Sequence, residues 1–325
     1  MKEVKRAFTM AEILISLTII GIIAAITLPA LRGNVNERVW ETQRKALESR
    51  LAQSLALLPA LNGYGVTADN AETASKATMA FINDGLSKVL KLSGICDKDH
   101  MRDCGIASNY TNLAGNTKDF PTKLSEFNSN FTKNLSSYVG GTYIEYFGQL
   151  NTPDTDVAAV KTKNGESMVV IYNPKCINET SDTMPYWSEA RMCVNFIYDL
   201  NGKGGPNTVG KDIGFITAMD PTDSVVLTVL PYSKDISGKK YNEALTACGD
   251  IDESLKMPDR DEITVMFYNN VLIGMDTNAK WSMGPTVQKA DASNNLVDYN
   301  WSMTQVGYHQ LVTSTSINSV RCVKQ

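Results

Sequence analysis

Hydrophobic and polar positions change their spacing three times along the chain. From Ile13 to Leu31 nineteen consecutive residues carry no charge, and as a helix they would extend roughly 28 Å, close to the thickness of a hydrocarbon core. Lys2, Lys5 and Arg6 precede this run and Arg32 follows it. The positive-inside rule then predicts a cytoplasmic amino end and export of everything after Arg32. Beyond Gly33 the spacing becomes that of an amphipathic helix. Val39, Leu47, Leu51, Leu55 and Leu58 form one stripe opposite Glu, Arg, Gln and Lys, and the pattern stops near Pro59 and Asn62-Gly63. A second amphipathic helix is predicted from about Ala71 to Leu92, carrying Phe81, Ile82, Leu86, Val89 and Leu90. From Thr142 the pattern is that of strands: TYIEYF, then DVAAVKT and SMVVIY joined by Lys163-Asn164-Gly165-Glu166, then MCVNFIYDL. YNEALTAC reads as a helix, MPDRDEI as a helix start with Asp259 and Glu262 spaced as a capping box, and SVRCVKQ as a strand.

With 325 residues, 43% hydrophobic and 20% charged, the chain has the composition of a folded protein rather than a disordered one. Its formal net charge of −4 supplies no basic field for a phosphate backbone, so nucleic-acid binding is not expected. The six cysteines fall in three neighbourhoods: Cys96 and Cys104, Cys176 and Cys193, Cys248 and Cys322. Export makes disulfides the expected state, but six cysteines allow fifteen pairings and the sequence alone does not choose. The two histidines, His100 and His309, stand far apart, and no HExxH, GxSxG, phosphate-binding glycine loop or metal-spaced CxxC pair occurs. No catalytic residues are assigned, and the chain is not expected to be an enzyme.

One acid interrupts the apolar start. Glu12 has no use in an ordinary signal peptide, and no small-x-small cleavage site closes the run, which leaves as ThrLeuProAlaLeuArg. RAFTMAEILISLTIIGIIAAITLPAL resembles the amino terminus of type IV pilins and type II secretion pseudopilins. In that family a membrane peptidase removes a short basic leader that ends in a small residue, usually Gly, and the apolar segment stays on the product. The resemblance implies a leader from Met1 to Ala7, cleavage before Phe8 by prepilin peptidase, N-methylation of Phe8, an assembly role for Glu12 and a helix kink at Pro29. Ala7 stands where the family more often has Gly. Physically, the freed α-amino group of Phe8 titrates near 8 and is mostly cationic at neutral pH. A cation and an anion in one apolar stretch are each costly, and pairing between neighbouring subunits offsets part of that cost. Glu12 would then pin the register of a subunit entering a filament.

Two later stretches carry further expectations. In DLNGKGGPNTVGKDIGF, Asp199, Asn201 and Asp212 offer oxygen ligands among glycines that let the backbone close around a hard cation. The loop is not an EF-hand, because Gly210 occupies the twelfth position where a bidentate Glu is needed. Calcium is the cofactor considered, against the alternative of a glycine-rich connection whose Asp and Asn cap turns. The residues after about 240 resemble the carboxy-terminal adhesin module of the C-type-lectin-like superfamily, through YNEALTAC with its Cys248, MPDRDEI, Trp301-Ser302 and Val320 to Val323. That resemblance implies a Cys248–Cys322 bridge joining the two ends of the module, which leaves Cys96 with Cys104 and Cys176 with Cys193 as local pairs. The rival arrangement is one continuous head with bridges crossing it.

The expected fold class is therefore α+β: a long amino-terminal helix, transmembrane and then amphipathic, a mixed pilin-like head, and a lectin-like module. The expected division is a leader at 1–7, a transmembrane or filament-core helix at 8–31, its amphipathic continuation at 32–62, the head at 63–220 and the module at 221–325. The expected function is a structural subunit of a type IV pilus or type II secretion pseudopilus. The alternative is a minor or tip adhesin that binds a surface or glycan. Expected partners are prepilin peptidase, other pilin-like subunits and the inner membrane. The expected location is single-pass in a bacterial inner membrane, then a periplasmic or surface filament.

Overall fold

The computed structural model describes residues 10–58, 60, 77–122, 126, 157–172, 194–218, 226–276, 278–303 and 309–324. Two compact units are present, Met1–Ala46 and Leu47–Gln325. Helix α1 (Met10–Leu57) opens the described chain. In its first part Glu41 and Lys45 form an exposed i,i+4 ion pair. In its second part Leu47, Leu51 and Leu55 are fully buried, as is Leu58 just past its end, at the spacing one helix face requires. Val39, expected on the same stripe, is 45% exposed. At about 100° per residue Leu51, Leu55 and Leu58 fall within about 80° to one side of Leu47, whereas Val39 falls about 80° to the other side.

The remaining helices are short. α2 (Ala77–Phe81) runs through a π-helical turn, Ile82–Leu86, into α3 (Ser87–Val89). Beyond them the chain is mainly β. A six-stranded antiparallel sheet has the order β1 (Leu92–Cys96), β4 (Val157–Thr162), β5 (Ser167–Tyr172), β6 (Val194–Asp199), β7 (Ile213–Ala218), β8 (Val226–Thr228), and β2 (Asn109–Thr111) pairs with β3 (Thr117–Asp119) in a separate ribbon. The β4–β5 hairpin turns at the Lys163-Asn164-Gly165-Glu166 segment. β5 and β6 are buried at every position, so both faces of the sheet are covered. Val169, Ile171, Ile197 and Phe215 enter one core. On the other face Tyr172 stacks on Phe81 with ring centres 4.5 Å apart, and Arg50 of α1 pairs with Glu166.

The second large sheet follows β9 (Pro231–Lys239) and α4 (Tyr241–Ala247). Its order is β10 (Leu255–Lys256), β15 (Asn318–Lys324), β11 (Lys280–Trp281), β13 (Leu296–Met303), β12 (Val287–Ala290), with β9 beside β15 and β14 (His309–Thr313) beside β13. α5 (Arg260–Tyr268) begins at Asp259, whose carboxylate accepts from the Glu262 backbone N–H while Glu262 accepts from the Asp259 N–H. α6 (Asn270–Ile273) follows directly. Buried residues of α5 and α6 share the core that holds Val169, Ile197 and Phe215. A buried amide chain continues that contact: Thr217 donates to Asn195, and Asn195 donates to Asn269 at the end of α5, each at 2.8 Å. Residues expected as head and as module thus contribute to one core within one compact unit.

The expected α+β plan led by a membrane-spanning helix gives way, among the described residues, to a mainly β arrangement of three sheets. Among the described residues no helix is long and apolar enough to cross a membrane. Single-pass inner-membrane anchoring is therefore not supported.

Candidate functional site

The end of β6 and the start of β7 bound a loop in which predicted site residues meet. Asp199 closes β6 and Asp212 precedes β7, and both are fully buried. β-pairing places Asp199 opposite Ser167 of β5, and the Ser167 hydroxyl donates to the Cys104 carbonyl at 2.7 Å. Space at this junction is fixed by two left-handed glycines. A Cβ on Gly105, at φ +91°, would lie 2.5 Å from Ser167 Oγ, and one on Gly202, at φ +60°, 3.2 Å from the Gly105 carbonyl oxygen. The Cys96–Cys104 disulfide loop, β5 and the Asp199–Asp212 loop are stacked there without room for a side chain.

The two carboxylates are satisfied unequally. Asp212 accepts from the backbone N–H of Asn207 and of Thr208, one on each oxygen, both at 2.8 Å. Asp199 accepts from the Asn201 N–H at 3.2 Å on Oδ1, while Oδ2 is buried with no partner. Burial first, and the negative charge of Asp212 second among the raising influences, push the Asp199 carboxyl up to about 7. Asn201, the third predicted ligand, turns its amide to donate to the Gly205 carbonyl at 3.0 Å.

These contacts decide the chemistry of the loop. Calcium takes six to eight oxygens, whereas here both Asp212 oxygens accept from backbone amides, Asn201 donates its amide N–H to Gly205, and the buried side-chain oxygens of the loop left without a partner are Asp199 Oδ2 and Asn207 Oδ1. Among the described residues no group of three or more His, Cys, Asp or Glu side chains is placed to hold a metal. The buried side-chain oxygens left open are fewer than calcium takes, and burial favours the neutral form of the Asp199 carboxyl. No family model, curated protein or solved structure matches the chain.

The other predicted residues are distributed over both units. Cys96–Cys104 and Cys248–Cys322 are disulfides. Cys176, Cys193, Ala7 and Phe8 lie outside the described residues, while Glu12 and Pro29 lie within α1, their side chains also outside them. His100 sits on the exposed Cys96–Cys104 loop, 2.7 Å from Asp97, whose hydrogen bond and charge raise its pKa. His309 is buried, 2.7 Å from the Thr264 hydroxyl, and desolvation pulls it down to about 4. Residue spacing concealed a buried charge cluster that joins β9, β11 and β15. Lys280 contacts Asp276 and lies 3.6 Å from Asp235, and Arg321 reaches Asp235 at 3.2 Å and the Ile273 carbonyl at 2.7 Å. Its only trace in the sequence is Arg321 standing inside the apolar alternation of SVRCVKQ.

Proposed function

We propose that the chain is a filament subunit of the type IV pilin or type II pseudopilin kind, processed before Phe8 and assembled through α1. The observation that carries this reading is the surface of the first part of α1. Ile13, Leu14, Ile15, Leu17, Ile19, Ile20, Ile22 and Ile23 are all about half exposed or more, with Leu14 at 61% and Ile20 at 62%. They point in every direction around the helix, not along one stripe. A helix apolar all round is stable in water only when something covers it, and the stems of further copies are a cover of matching length and chemistry. Glu12 lies on the same helix, where an unpaired carboxylate in a packed apolar bundle is costly. Its partner in this reading is the α-amino group of Phe8 on a neighbouring copy.

Amino-terminal analysis of protein recovered from cells tests processing, and the expected first residue is Phe8. Assembly is tested with Glu12→Ala, which should leave the folded unit Leu47–Gln325 at wild-type stability while lowering entry into sheared filaments when both forms are expressed together. An intact Met1, or equal incorporation of the variant, overturns the reading.

A further inference from the structure

Lys280 is a cation placed where water does not reach. Its backbone stands in β11, paired with Met303 of β13 and Ser319 of β15, and its side chain is fully buried. A charged amine there is costly unless it is paired. Nζ donates to Asp276 Oδ1 and to the Asn278 carbonyl, the latter at 3.1 Å, and lies 3.6 Å from Asp235 Oδ1. Asp235 is fixed through its other oxygen, since Oδ2 accepts from the Asp276 backbone N–H at 3.1 Å and from Arg321 at 3.2 Å. Its Oδ1 is buried and has no hydrogen-bond partner, so an open acceptor faces the lysine. Asp276 is held as well, because its Oδ1 also accepts from the Asn278 N–H at 2.9 Å, but its side chain is 41% exposed. The cluster is sealed around the amine and open to water at Asp276.

We propose that Lys280 and Asp276 condense into an intramolecular amide bond, with Asp235 carrying the proton. Nζ passes one proton to Asp235 Oδ1, and its freed electron pair attacks Asp276 Cγ. Asp235 then returns that proton, and Nζ gives up a second, to the Asp276 oxygen whose bond to Cγ breaks as it leaves as water. Nζ keeps one hydrogen as an amide N–H; nothing is oxidised or reduced, and no co-reactant is consumed. Holding amine and carboxylate in contact within one loop supplies the effective concentration that the same reaction lacks in solution. Condensation also removes one charge of each sign from the interior and leaves Asp235 paired with Arg321, which relieves part of the cost of burying the cluster. The exposed side of Asp276 is the way out for the water.

The test is peptide mapping by mass spectrometry of full-length protein, digested with trypsin after its disulfides are reduced. A linked Lys280 is no longer a cleavage site, so the expected wild-type peptide continues from 261 through Lys280 to Lys289 and is lighter than its sequence by one water. Fragmentation should yield no backbone products between 276 and 280, because the new bond closes a ring there. Lys280→Arg and Asp276→Ala should each abolish the loss of water. Asp235→Asn keeps the side chain's shape and an acceptor for Arg321, and it should slow closure by about a hundredfold, read as uncoupled peptide in freshly synthesised protein. Ordinary cleavage after Lys280 at full mass in wild type means an ion pair only and overturns the proposal. Loss of water with cleavage after Lys280 retained also overturns it, since that marks closure of Asp276 onto its own backbone. Coupling at the wild-type rate in Asp235→Asn overturns the role given to Asp235. None of these outcomes bears on processing or stem assembly, which are read from the amino terminus and from filaments.

Discussion

Replacing Asp199 with Asn isolates the chemistry of the β6–β7 loop. The carboxyl is fully buried, one of its oxygens has no partner, and its pKa is pushed from the ordinary 3.8 up to about 7. A raised carboxyl means that the folded chain holds a proton which the unfolded chain releases. Its contribution to stability is therefore fully present below about pH 4 and is lost progressively as pH rises through about 7. The interval between 3.8 and about 7, at about 1.4 kcal/mol per pH unit, sets a ceiling of about 4 kcal/mol on that loss. Asn is nearly isosteric, keeps the oxygen that accepts from the Asn201 N–H, and carries no charge toward Asp212. Asp199→Asn should be stabilised relative to wild type at pH 8, by about 1 to 4 kcal/mol, and should converge with it near pH 4. The assay is urea unfolding of both proteins across pH 4 to 8, with and without calcium. A pH-dependent stability difference that calcium leaves unchanged is expected. Parallel curves for the two proteins would refute the buried-proton argument, and a calcium-dependent gain in wild type alone would refute the reading of the donor set.

Three other perturbations follow from contacts already described. Cys248→Ser with Cys322→Ser should lower unfolding free energy by about 2 to 5 kcal/mol, because the bridge closes a separation of 74 residues; an unchanged urea midpoint would count against it. Arg50→Ala should cost about 3 kcal/mol by leaving the buried Glu166 carboxylate without its cation, and the double variant with Glu166→Gln should recover part of that loss in a double-mutant cycle. Gly105→Ala combines a left-handed backbone with a Cβ 2.5 Å from Ser167 Oγ, and it should destabilise by about 2 kcal/mol or more; Ser167→Ala in the same chain should relieve the steric part in thermal melts.

Local signals in the sequence are found where it placed them, and long-range ones were not available. The Lys163-Asn164-Gly165-Glu166 turn, the Asp259–Glu262 capping box and the Leu47–Leu58 stripe depend on residues a few positions apart, and each is present in the structure. Joining the two expected modules into one core depends on Asn195 meeting Asn269 across 74 residues, which no periodicity encodes. Asp199 and Asp212 meet in one loop as read, but composition does not show that backbone amides at Asn207 and Thr208 occupy both Asp212 oxygens. The run after Glu12 reads as a bilayer span because its residues are apolar as well as uncharged. Among the described residues it does not yield a crossing helix.

Strand β15 lies between β9 on one side and β10 and β11 on the other, and this arrangement sets an order of events during synthesis. β9 ends at Lys239 and β15 begins at Asn318. A ribosome adding about 5 to 20 residues per second leaves β9 waiting roughly 4 to 16 s, and β11 roughly 2 to 7 s, for the partner that separates them. During that wait the edges of β9 and β11 stand open, and the direct pairing of one with the other is the misfold nearest to hand. A chaperone that holds extended strands would therefore raise the yield of this chain most when translation is slowed between residues 240 and 317.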